Sequence, residues 1–353
     1  MAKAEMKDGK DGKRFLWIDV IKVFSTFLIV LQHSISDSFT SLPVSGPEWK
    51  LLNGIFMISR MGVPVFFLCS GAGMLAREHT VREIWRKQIP GLLKVYIGWM
   101  AVLGIRDAVQ IGIAGENAGL RVMINAFLKC ILFGKYHTWF IFTLLGLYAV
   151  TPLMYRIAEK REQLSYFLVL SILFTVVLPL FSKIEWLGRL MAVVESVNMQ
   201  FVTGYSLYFL AGYYICRYLD RRWEKYAGLA FIASAAAAYV WSLSASLRAG
   251  GADHEAYGLF SPCGFIMSVS LMVLFKKYVG AQSTSGLLNG AAGLQKYGIA
   301  VYLLHIVFVE AWTKGSGMAC VPAALLVWVV SMAVSMVMYR IPVLGKVLFL
   351  QRG

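Results

Sequence analysis

FLWIDVIKVFSTFLIVLQHSIS, residues Phe15–Ser36, is the stretch that decides the fold. About 20 apolar residues suffice to cross a bilayer as one helix, and this run is long enough. It nevertheless carries Asp19, Lys22 and His33, and ionisable groups inside a membrane are costly enough to point to function. Lys22 and His33 stand eleven residues apart. At about 100° per residue they return to nearly the same helical face, roughly 16 Å apart along the axis. A long anionic molecule gripped at the lysine would meet the imidazole about three turns on. Two plainer readings stand beside this one. Asp19 and Lys22, at i,i+3, would neutralise each other inside a bundle, and His33 would be a hydrogen-bonded core or interfacial histidine.

Working outward, 58% of the 353 residues are hydrophobic and only 15% are charged. Repeated long apolar runs in such a composition mean an all-α polytopic membrane protein, not a soluble domain. About ten transmembrane helices are expected, near residues 15–36, 51–76, 89–113, 138–157, 164–182, 200–217, 226–246, 258–275, 297–313 and 321–340. They form one transmembrane domain, residues 15–340, between a disordered polar tail, 1–14, and a C-terminal tail, 341–353. The first helix is too long and too charged for a cleaved signal peptide. With the N-terminus inside, cytoplasmic segments hold 22 of the 34 basic residues. That asymmetry places both termini in the cytoplasm, and it accounts for the net charge of +15 better than nucleic-acid binding does. Residues 114–137 fit no easy span and read as an outer-side or re-entrant element over a cavity mouth.

Other residues bear chemistry. Arg60 interrupts the second span and needs a partner there. Arg82 and Arg86 lie four apart in the cytoplasmic loop before the third span. They either clamp phosphates or pair with Glu78 and Glu83. His137 and Trp139, at the outer start of the fourth span, fit a substrate site or an interfacial aromatic belt. His305 falls near mid-membrane, with Glu310 further out, and either a supporting or a purely structural role suits them. His79 and His254 fall in loops and carry no role. No two histidines have i,i+3 or i,i+4 ligand spacing, so no metal is expected. Cys69, Cys130, Cys216, Cys263 and Cys320 are scattered, with no CxxC pair.

Six blocks, in order, resemble the acyltransferase-3 family of membrane O-acyltransferases, most closely the subgroup acting on bacterial surface glycans. They are IDVIKVFSTFLIVLQHS (Ile18–Ser34), GVPVFFLCSG (Gly62–Gly71), REIWRKQIP (Arg82–Pro90), YHTWFIFTLLGLYAVTPL (Tyr136–Leu153), YFLAGYYI (Tyr208–Ile215) and YGIAVYLLHI (Tyr297–Ile306). The resemblance implies transfer of an acyl group, usually acetyl, from cytoplasmic acyl-coenzyme A to a hydroxyl of an extracytoplasmic or lipid-linked glycan. It implies His33 as catalytic base, or alternatively as the site of a covalent acyl-histidine. Lys22, Arg82, Arg86 and Arg60 would bind the donor. Asp19, His137, Trp139, His305 and Glu310 would bind or support the acceptor. Lys22 stands where the family has arginine, and a lysine lacks the bidentate fork that arginine offers a phosphate. Acetyl-coenzyme A would be a co-substrate, with no permanent cofactor. The location implied is the bacterial inner membrane, with lipid as the surroundings. A transporter using the same charges as a substrate or proton path is the rival reading, and an inactive sensor a further one. Acceptor identity, acyl length and oligomeric state are left open.

Overall fold

The computed structural model describes residues 16–114, 119–181, 196–280 and 286–350. The expected N-terminal tail lies outside them. Among the described residues there is no strand, and nine helical stretches are long and apolar enough to cross a membrane. The chain is an all-α, multi-pass membrane protein. In order, its main helices are α1 (Leu16–Ser41), α2 (Pro47–Ser59), α3 (Gly62–Met74), α4 (Ile89–Ala114), α5 (Leu120–Phe133), α6 (Trp139–Ala158) and α7 (Arg161–Ile172). They continue with α8 (Ser206–Arg217), α9 (Ala227–Ala249), α10 (Pro262–Tyr278), α11 (Gly298–Trp312) and α12 (Cys320–Arg340). The end of the bundle at Ser41 is called here the upper end, and that at Leu16 the lower.

The sixth expected span, 200–217, is the departure. Its helix α8 runs only Ser206–Arg217, because residues up to Tyr205 form turns and Gly204 has a φ of +77°. A left-handed residue ends helical geometry whatever the apolar content around it.

Helix α1 is the axis. It packs on α2, α3, α10, α11 and α12, and it buries Trp17, Ile21, Leu28, Ile29, Ile35 and Phe39. Two of its small polar residues are satisfied within the helix: Ser25 Oγ donates to Ile21 O at 2.8 Å and Thr26 Oγ1 to Val23 O at 2.7 Å. A polar group that is paired locally is tolerable in an apolar surround.

The second span is broken between α2 and α3. Pro64 has no N–H to give the carbonyl of Arg60, so the ladder loses that bond, and Arg60 and Met61 form a turn. Gly62 then lets α3 press against α1, since a Cβ there would lie 2.9 Å from Ile29 Cγ1 and 3.0 Å from Ser25 O. Pro64, in the GVPVFFLCSG block, therefore fixes the level of Arg60 in the bundle.

Helix α5 folds back along α4. Gly112 meets Met123, Gly104 meets Phe127 and Cys130, and Tyr96 Oη donates to Ile131 O at 3.2 Å. The described part of the 114–137 segment is accordingly a helix, Leu120–Phe133, laid back along α4. The C-terminal tail is built into the fold as well. A short helix, Pro342–Val347, brings Leu348 and Phe349 into buried positions. Trp99 Nε1 of α4 donates to Leu348 O at 2.9 Å.

Candidate functional site

Three histidines distant in sequence meet near the upper half of α1. The His33 ring centroid lies 5.2 Å from that of His305 and 6.5 Å from that of His137, and His137 and His305 are 5.6 Å apart. Tyr136 stands 5.5 Å from His33. His33 keeps partial exposure, whereas His137 is 1% and His305 0% exposed. A supporting role for His305 beside His33 is among the expectations from sequence; the approach of His137 to both is not.

Each element positions its member for a local reason. Gly134 ends α5 with a φ of +70°, and a Cβ there would lie 2.2 Å from Thr138 Oγ1. Only glycine fits that bend, which turns Tyr136 and His137 toward α1. The hydroxyl of Tyr302, on α11, donates to the carbonyl of His137 and ties the turn down. Val301 O lies 3.2 Å from His305 Nδ1. A carbonyl only accepts, so Nδ1 carries the proton and Nε2 presents a lone pair. That Nε2 is buried without a hydrogen bond. Such a group costs about 1–3 kcal/mol, a cost a bound polar substrate would relieve.

Above the histidines lies an ionic lattice. Arg106 Nη2 bonds Glu310 Oε2 at 2.8 Å, Arg106 Nη1 lies 4.0 Å from Asp107 Oδ1, and Lys135 pairs with Asp107. Glu310 is thus held by α4. The lattice fastens α4, the 134–137 turn and α11 together over the site. Arg106, Asp107 and Lys135 are not among the site residues expected from the sequence.

A second group lies beside the first. Arg60 approaches the Phe56 ring, its Cζ 5.9 Å from the centroid, and its Nε is buried without a partner. It lines a narrow crevice with Met57, Met61, Pro64, Tyr257 and Met267, and it acts electrostatically on His33. Trp139 faces Tyr205 at 5.3 Å, and Tyr205 faces Phe260 at 5.0 Å. His254, in the upper loop before α10, packs near Phe39 and Phe56. Burial and the nearby Arg60 guanidinium hold that imidazole below its usual range.

At the lower end, Asp19 is buried and Lys22 half-buried on α1, and both side chains are engaged. Lys22 acts electrostatically on Cys69 of α3. Arg82 and Arg86 are exposed in the loop leading to α4, across a short helix, Val81–Glu83, and a π-helical turn, Ile84–Gln88. Among the described residues the alternative of pairing with Glu78 and Glu83 does not form. Arg77 takes Glu83 at 2.5 Å, and Arg156 of α6 takes Glu78. Both arginines keep their donors open to solvent.

A family model described as an acyltransferase domain matches residues 15–340 of the chain. No curated protein and no solved structure matches it.

Proposed function

The chain belongs to the acyltransferase-3 family, and from that premise we propose that it transfers an acetyl group from acetyl-coenzyme A to a hydroxyl of a glycan on the far side of the bacterial inner membrane. The observation that carries the reading is the placing of open cations at one end of α1's bundle and an imidazole cluster toward the other. Arg82 and Arg86 would take the coenzyme's phosphates as charge-assisted hydrogen bonds, and Lys22 would attract the same anion as it passes. About 16 Å of helix then separates Lys22 from His33, a distance an extended pantetheine arm would cover. The nucleotide would stay on the cytoplasmic side while its thioester reached His33.

In the chemical step, the acceptor oxygen attacks the thioester carbonyl while His33 takes the hydroxyl proton. That attack forms the ester C–O bond; collapse of the tetrahedral adduct restores the carbonyl, breaks the C–S bond and returns the proton to the departing thiolate, which leaves as free coenzyme A. His305 offers a fixed acceptor in Nε2 beside His33, suited to holding the base as it becomes charged. His137 would hydrogen-bond substrate. Trp139 would stack on the sugar, and Glu310, through Arg106, would hold the turn. Asp19 would keep Lys22 in place. Arg60 would meet substrate close to the reacting end.

The test is thioester consumption by purified protein in lipid nanodiscs. An enzyme releases free coenzyme A together with an acetylated product. A transporter or sensor releases none, and that result would overturn the reading. Two variants separate the roles. Arg82→Gln with Arg86→Gln is expected to raise the KM for acetyl-coenzyme A about tenfold to a hundredfold, the scale of one to two lost charged hydrogen bonds, and to leave kcat near normal. His305→Ala is expected to lower kcat about tenfold or more with donor KM unchanged. Initial rates over a donor titration check both.

A further inference from the structure

Arg60 is a cation in the middle of a membrane span with no acidic partner among the described residues. It forms no ion pair among the described residues, and the groups acting on it are the phenols of Tyr257 and Tyr205, not a carboxylate. Its Nε makes no hydrogen bond in the protein. Guanidinium groups in membranes are normally paired or face a polar cavity. Phe56, at 5.9 Å, supplies only a cation–π contact.

The surroundings say from which side a partner comes. Tyr257, which lines the crevice with Arg60, bonds Asn53 at 2.6 Å. Asn53 meets Ser242 at 3.0 Å, and Ser242 Oγ donates to Asp253 O at 2.6 Å. This polar column climbs to the loop between α9 and α10, at the upper end. Arg82 and Arg86 occupy the connection at the opposite end, so the donor's phosphates and the Arg60 crevice are served from different sides. Tyr205 also belongs to the Trp139–Tyr205–Phe260 row of rings, in which Trp139 is 38% exposed. Flat aromatic faces beside a bare guanidinium suit a sugar that carries an anion.

We propose that the Arg60 crevice binds an anionic group of the acceptor, which is therefore an acidic saccharide bearing a carboxylate or a phosphate. This rests on the acyltransferase reading for the word acceptor, but the binding itself does not. An acidic sugar entering from the upper end would pair with Arg60, lay a ring face along the aromatic row and bring a neighbouring hydroxyl toward His33.

The test uses the full chain in nanodiscs and three probes: methyl β-glucuronide, methyl glucoside 6-phosphate and uncharged methyl glucoside. Binding is read as a shift in thermal unfolding on a His33→Ala background, where no turnover confuses it. One of the two anionic probes is expected to stabilise this protein at least about tenfold more tightly than the neutral one, and which one does so identifies the anion as carboxylate or phosphate. Adding Arg60→Gln should erase that preference, and Arg60→Lys should restore part of it. Equal binding of all three probes would overturn the proposal, as would a preference that survives Arg60→Gln. Wild-type thioester turnover slowed alike by Arg60→Gln with every acceptor would assign Arg60 to the reacting carbonyl instead and overturn it too. Absence of coenzyme A release from wild type, with the anion preference intact, would sink the catalytic reading and leave this site standing.

Discussion

Replacing His33 with alanine is expected to abolish acyl transfer and coenzyme A release while leaving the protein folded and in the membrane. Loss of a general base slows transfer by about 10²–10⁴-fold, and 10³ corresponds to about 4 kcal/mol of barrier. Folding should be spared because His33 keeps partial exposure and makes no hydrogen bond to the protein among the described residues. The small cavity left beside Tyr136 and His305 costs about 1 kcal/mol at this degree of burial. The two histidines behind it cannot substitute. His305 has its Nδ1 proton committed to Val301 and is fully enclosed, and His137 is itself buried, its ring 6.5 Å from that of His33. Single-turnover measurement with labelled acetyl-coenzyme A separates the two chemistries. A general base leaves no labelled protein, whereas a covalent route leaves acetyl on His33 after the coenzyme has gone. Transfer at wild-type rate by His33→Ala would remove this residue from the mechanism altogether.

How much of this was legible in the sequence follows from what is local. The long apolar runs read correctly, because span length acts on each helix separately. The fold-back of α5 also showed, as a segment too polar to cross. Three features depended on contacts far along the chain. His33, His137 and His305 are linked by no spacing, only by the packing of α6's leading turn and α11 around α1. The arginine–glutamate pairing went the other way because Arg156, on a different helix, competes for Glu78. The sixth span lost its first turns to Gly204, whose positive φ leaves no mark in an apolar run. Arg60 was visible as a charge in the wrong solvent, but its want of an anion became visible only with its neighbours in place.

Gly71 and Gly212 carry the second large effect. Helices α3 and α8 touch backbone to backbone: a Cβ on Gly71 would stand 1.7 Å from Phe209 O, and one on Gly212 would stand 1.8 Å from Leu68 O. Neither obstacle is a side chain that could turn aside, so Gly71→Ala or Gly212→Ala must push the helices apart. Close approach through small residues is what holds membrane helices together, since lipid gives no hydrophobic drive. Separation would loosen the contacts of Phe67, Leu68, Phe209 and Leu210, all fully buried. Each single substitution is expected to cost about 3 kcal/mol or more, at the upper end for overpacking, seen as a lowered unfolding temperature in detergent. The double variant should cost less than the sum, because one outward step of α8 accommodates both new methyl groups. Gly73→Ala supplies the control on the same helix. Its Cβ meets nothing within 4 Å, so it should be neutral or gain up to about 1 kcal/mol of helix propensity. Strict additivity, or an equal loss at Gly73, would show that general helix sensitivity and not this contact sets the result. Activity should fall with the packing variants even where folded protein survives, because α8 begins directly after Tyr205, and its displacement would carry that ring away from Arg60 and Trp139.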